Sequence, residues 1–142
     1  MQNAHYGAAP LTAALILATS CADLPRTGSY TFDCLYDRIG GKDSTQPVTP
    51  EPLRMVFSVE LNDANSGGGT VQREGHEYQL KSVLWENDAY FILETTTYDE
   101  MRMTTMHLVD DQAGVYDSMH SWHLSHQPRF IAIGYYGSCR RI

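Results

Sequence analysis

From Tyr78 to His120, apolar and β-branched runs alternate with short polar breaks, and this rhythm restricts the chain more than any other feature. Tyr78-Gln-Leu-Lys-Ser-Val-Leu-Trp85 stops at Glu86-Asn87-Asp88, and Ala89-Tyr-Phe-Ile-Leu-Glu-Thr95 resumes at once. Met101 to Val109 follows a polar break, and Asp110 to Gly114 turns the chain into Val115 to His120. β-Branched and aromatic residues fill the runs while Asn, Asp and Gly collect between them, the composition of an antiparallel meander. Such short connections can join only antiparallel neighbours, because a parallel pair needs a crossover of about a dozen residues.

The flanking segments extend the pattern. Tyr30, Phe32, Cys34 and Tyr36 share one face of a first strand. Leu53, Met55, Phe57, Val59 and Leu61 alternate with Arg54, Ser58 and Glu60 in the cleanest strand of the chain. Such alternation puts one face in a core and the other in water. Thr70 to Arg73 reads as a weak strand and Arg129 to Cys139 as the last one. Its small residues Ala132, Gly134 and Gly137 suit a sharp bend or a close strand approach at a barrel seam. Lys42 to Pro52 contains three prolines and is expected to be a loop without regular pairing. Asn62 to Gly69 reads as a flexible loop tip. Its glycines lack the Gly-Lys-Ser/Thr and the helix that a phosphate loop needs. The expected fold is all-β, a small antiparallel up-and-down barrel of seven or eight strands, since closure removes exposed edges. A two-sheet sandwich is the alternative.

A chain of 142 residues is long enough to bury a core as one domain. Its net charge of −7 and scattered basic residues argue against a nucleic-acid partner, which calls for clustered Lys and Arg. The longest apolar run, Leu11 to Ala18, falls far short of the roughly 18 residues of a membrane-spanning helix.

Ala8 to Ser20 is a small-residue and aliphatic run with the character of a signal-peptide core. It ends in Leu17-Ala18-Thr19-Ser20-Cys21, which resembles the lipobox of bacterial lipoproteins; Thr19-Ser20 replaces the usual Ala-Gly type of ending, and Met1 to Gly7 carries no Lys or Arg. The resemblance implies that Cys21 is lipidated and becomes the first mature residue. It would place the chain in the periplasm or at the outer membrane, with the membrane itself as a partner through the anchor. The expected organisation is then a signal peptide over residues 1–20, a tether over 21–28 and one β-domain over 29–142. Cleavage after Ala22, or a retained N-terminal helix or strand, are the other readings. Setting Cys21 aside leaves Cys34 in the first strand and Cys139 in the last, and a bridge between them would join the two ends of a closed barrel. Its loop of about 100 residues would contribute up to about 4.7 kcal/mol in the chain-entropy model. Two buried free thiols in a cytosolic core are the alternative.

One group of residues invites a chemical reading. His120, His123 and His126, with Met119 and with Met103 one strand earlier, are soft and borderline donors suited to copper. On a strand His120 and His123 point to opposite faces, so convergence requires a turn there. No Gly-x-Ser-x-Gly elbow and no His-Glu-x-x-His occurs. The nine tyrosines offer stacking area and hydroxyls for a ligand or partner surface, and Tyr is also a good strand residue. The functional expectation is a non-catalytic binding or envelope-structural domain, with a protein of the envelope as a possible partner. Copper handling and lipocalin-like carriage of a small apolar ligand are the alternatives.

Overall fold

The computed structural model describes residues 27–41, 44–47, 51–94, 100–126 and 129–142. The expected signal peptide and Cys21 lie outside the described residues. Among the described residues nine strands follow one another: β1 (Gly28–Gly41), β2 (Ser44–Pro47), β3 (Leu53–Leu61), β4 (Ser66–Arg73), β5 (His76–Glu86), β6 (Ala89–Glu94), β7 (Glu100–Asp110), β8 (Val115–His126) and β9 (Arg129–Arg141). Each of β3 to β8 pairs antiparallel with the next, and β1 pairs with both β3 and β9. That ring is a closed antiparallel barrel of eight strands, with β2 paired to the far end of β1 as a flap. A barrel is therefore the architecture, and the sandwich is not.

Turn chemistry sets the registers. Asn87 and Asp88 both take positive φ (50° and 58°), as do Glu74 and Gly75 (52° and 77°). Two consecutive left-handed residues make the type I′ turn, whose twist matches that of a hairpin. The tight β5–β6 and β4–β5 hairpins follow from those residues.

Two expectations are corrected. Ser44 to Pro47, read as loop, is β2 and pairs with Arg38 to Gly41. Pro47 is the last residue of that strand, at a sheet edge, where its missing N–H breaks no interior ladder. Ser66 to Gly69, read as loop tip, belongs to β4, with Gly67 opposite Leu61 and Gly69 opposite Val59. A Cβ on Gly67 would lie 1.7 Å from the Glu60 carbonyl oxygen, and one on Gly69 would lie 1.9 Å from that of Ser58. The glycines thus permit a backbone approach that side chains would prevent.

The seam fulfils its sequence signal. Cys34 lies directly opposite Cys139 in the β1–β9 register, and the two form a disulfide with Cα atoms 4.0 Å apart. Beside it, a Cβ on Gly137 would fall 1.9 Å from the Leu35 carbonyl oxygen. The small residue is required where the last strand meets the first.

Side chains of alternate phase fill the barrel. Phe32, Met55, Phe57, Val71, Tyr90, Ile92, Met106 and Tyr116 are fully buried. Their rings meet edge to face: Phe32 to Tyr90 at 4.9 Å between centroids and Phe32 to Tyr116 at 5.2 Å. Trp85 packs on Tyr90 at 4.6 Å. Aromatic pairs of this kind add about 0.5–1.5 kcal/mol each beyond area burial. The middle of the barrel is packed with rings, and the inward phase turns polar toward one end.

Candidate functional site at one barrel mouth

The polar end is built from strand termini. Arg73 closes β4 and Glu94 closes β6; Arg102 sits near the start of β7, and His120 and Trp122 lie around the middle of β8. Arg73, Glu94, Thr104, Ser118 and His120 are all buried, and each is in phase with core residues of its strand: Val71, Ile92, Met106 and Tyr116. Inward phase forces them into the barrel, and burial then demands partners.

Most of those partners are present. Arg73 Nη1 donates to Glu94 Oε2 at 3.0 Å, with side chains 8% and 3% exposed. Thr104 Oγ1 and His120 Nδ1 share a hydrogen bond of 2.8 Å. Ser118 Oγ donates to the Thr105 carbonyl at 3.1 Å, so the Tyr36 hydroxyl, 2.9 Å away, donates to Ser118. Burial pushes the Tyr36 pKa well above its ordinary value, keeping that hydroxyl a donor. Glu94 Oε1 is buried and, among the described residues, has no hydrogen-bond partner; His120 Nδ1 lies 3.7 Å from it.

Two guanidiniums are laid on aromatic faces here. Arg73 sits 4.7 Å from the Tyr78 ring centroid and Arg102 4.9 Å from that of Trp122. Arg102 also donates through Nε to Glu100. Stacking occupies the face of a guanidinium and leaves its in-plane N–H groups for hydrogen bonds. Both arginines line a recess of about 180 Å³ together with Leu53, Glu74, His120, Trp122 and Tyr135. They also line an adjoining one of about 240 Å³ with Tyr78, Glu94 and Glu100.

Desolvation first, then the positive charges of Arg73 and Arg102, hold the His120 pKa down to about 3. The ring is neutral at physiological pH. Between about pH 6.5 and 3 the unfolded chain protonates this histidine while the folded chain does not, so its contribution to stability falls as pH falls through that window. From pH 6.5 to 4.5 the loss is roughly 2–3 kcal/mol. Urea unfolding at the two pH values should show it in the native protein, and a His120→Gln variant should lack that part of the pH dependence. An equal slope in both would place the acid sensitivity elsewhere.

The residues singled out for copper are divided between surfaces. His120 points into the barrel, 2% exposed. Met103, Met119 and His123 are half-buried and fall in the outward phase of β7 and β8, His123 opposite Met101 and Met103 opposite Ser121. Strand β8 continues without a turn to His126, whose side chain falls outside the described residues. Cys34 and Cys139 form the disulfide. The polar network escaped the sequence reading although its signal is present: Arg73, Glu94 and Thr104 occupy core-phase positions of otherwise alternating strands.

Fold and site together define a closed eight-stranded antiparallel barrel with a filled centre and a polar, arginine-flanked recess at one mouth. The chain matches no protein-family model, no curated protein and no solved structure.

Proposed function

We propose that this is an exported binding domain, tethered to a bacterial envelope through Cys21, whose binding site is the recess at the barrel mouth. The observation that carries the reading is the convergence of two ring-stacked arginines on a single recess beside the buried His120. Barrel mouths are common ligand sites, and a few fixed polar groups on an apolar wall supply orientation there. The packed rings of the barrel centre favour a ligand held at the mouth over an apolar molecule carried inside. The Cys34–Cys139 disulfide supports an oxidising compartment, since such bonds are rare in the cytosol.

Native mass spectrometry of the protein taken from the membrane fraction of a bacterial host tests both halves of the proposal. The expected species begins at Cys21, carries lipid, is two hydrogens light, and retains a small molecule that a Trp122→Ala variant loses. A full-length mass with free thiols rules out export. Retention unchanged by Trp122→Ala removes the mouth as the binding site.

A further inference from the structure

We infer that the recess between Arg73 and Arg102 recognises a carboxylate, and that its ligand is a small monoanionic organic acid or an acidic group of that size on a larger molecule. The inference rests on the mouth being the binding site and names the chemistry it selects.

Several unused donors converge on the recess and, among the described residues, one unused acceptor, Glu94 Oε1, lies beside it. The hydrogen bonds described engage one nitrogen each of Arg73 and Arg102, whereas a guanidinium carries five N–H groups. Trp122 lines the same wall, and its indole N–H is buried and, among the described residues, unpartnered. An indole N–H only donates. A buried donor without an acceptor is penalised, so an acceptor-rich ligand gains by entering.

Charge balance disfavours a multiply charged anion. Glu94 is paired with Arg73 and Glu100 with Arg102, and Glu74 stands at the rim. The three carboxylates outnumber the two arginine charges, so recognition rests on directed N–H donors rather than on net charge, and a phosphate dianion is repelled most. A planar carboxylate fits the in-plane donors of a stacked guanidinium edge to edge. Leu53 and the rings of Trp122 and Tyr135 form an apolar wall for the rest of the molecule. The recess of about 180 Å³ has room for a small acidic group.

The test is an NMR titration of the ¹⁵N-labelled, disulfide-bonded protein with benzoate, acetate, benzamide, inorganic phosphate and a short peptide ending in Glu. Benzoate should shift the Trp122 indole and Arg102 Nε–H resonances saturably. The Trp85 indole, packed on Tyr90 inside the barrel, should stay in place. Benzamide should have no effect. Arg102→Gln should weaken benzoate binding about tenfold or more, and Arg102→Lys should fall between the two, because a charge-assisted hydrogen bond exceeds a neutral one. An unmoved Trp85 resonance in both variants reports an intact core. Acetate and benzoate binding without the peptide identifies a free acid as the source, and peptide binding identifies a protein side chain or terminus. Equal shifts from benzamide and benzoate overturn the carboxylate inference while leaving the mouth as a binding site. Tighter binding of phosphate than of benzoate overturns it as well. A Trp122 resonance that no probe moves ends the inference, and the mass measurement with Trp122→Ala then decides separately whether the mouth binds anything.

Discussion

A Cys34→Ala/Cys139→Ala double variant is expected to lose about 4 kcal/mol of stability, with an upper bound near 4.7 kcal/mol from chain entropy for a loop of this order. The bridge spans 105 residues of sequence and joins the only two strands whose pairing closes the ring. Without it, every contact between β1 and β9 must be found by ends separated by the whole domain, and that loop-closure cost falls on the folded state. For a domain of this size the midpoint of thermal unfolding should drop on the order of 15 °C. Urea unfolding of the oxidised protein and the double variant gives the free energies, and the slopes give a second reading. The oxidised unfolded state is more compact and should show the smaller slope. A loss below about 1 kcal/mol would mean that the hydrogen-bonded ladder and Gly137 hold the seam alone, and that the bridge matters little to equilibrium stability.

The seam is also where sequence and structure agree most closely, and the reason is physical. Register in a two-faced strand is fixed by period-two patterning, and a slip of one residue would turn Phe32, Cys34 and Tyr36 into solvent. That same patterning places Leu53, Met55, Phe57, Val59 and Leu61 inward, and the Asn87-Asp88 and Glu74-Gly75 pairs fix the hairpins by requiring positive φ. What the pattern obscured was a strand in which the alternation is carried by glycine. Ser66 to Gly69 has no side chains to alternate, and only the proximity of the β3 carbonyls shows why glycine stands there. The candidate site was hidden for a different reason. Apolar-versus-polar reading treats Arg73, Glu94 and His120 as outward residues, although their phase is that of Val71, Ile92 and Tyr116. Polar residues on the core phase of several strands constitute the signal. It becomes decisive only once the strands are known to share a barrel. His120 and His123 are close in sequence, and a strand sends them to opposite faces.

The second large effect expected is at the buried ion pair, where single and double substitutions should behave very differently. Arg73→Met leaves the Glu94 carboxylate, 3% exposed, without its one described hydrogen bond, and should cost about 3–5 kcal/mol. Glu94→Leu strands the Arg73 guanidinium in the same low-dielectric position and should cost a similar amount, partly relieved by its contact with the Tyr78 ring. Arg73→Met/Glu94→Leu removes both charges together and should lie within about 1–2 kcal/mol of the native protein, since an apolar pair of similar volume escapes the desolvation penalty. Urea unfolding of the four proteins measures the coupling directly. Single variants that each lose less than about 1 kcal/mol would show that water reaches the pair and that its burial is not felt. Near-native stability of the double variant has a further consequence. A chain that can fold as well without Arg73 and Glu94 does not need them for its core, so their presence at the mouth has to be explained by what the mouth holds. The double variant should then bind benzoate at least tenfold more weakly than the native protein, because one arm of the arginine clamp is gone. Undiminished binding would confine the pair to a structural role and leave Arg102 and Trp122 as the whole recognition surface.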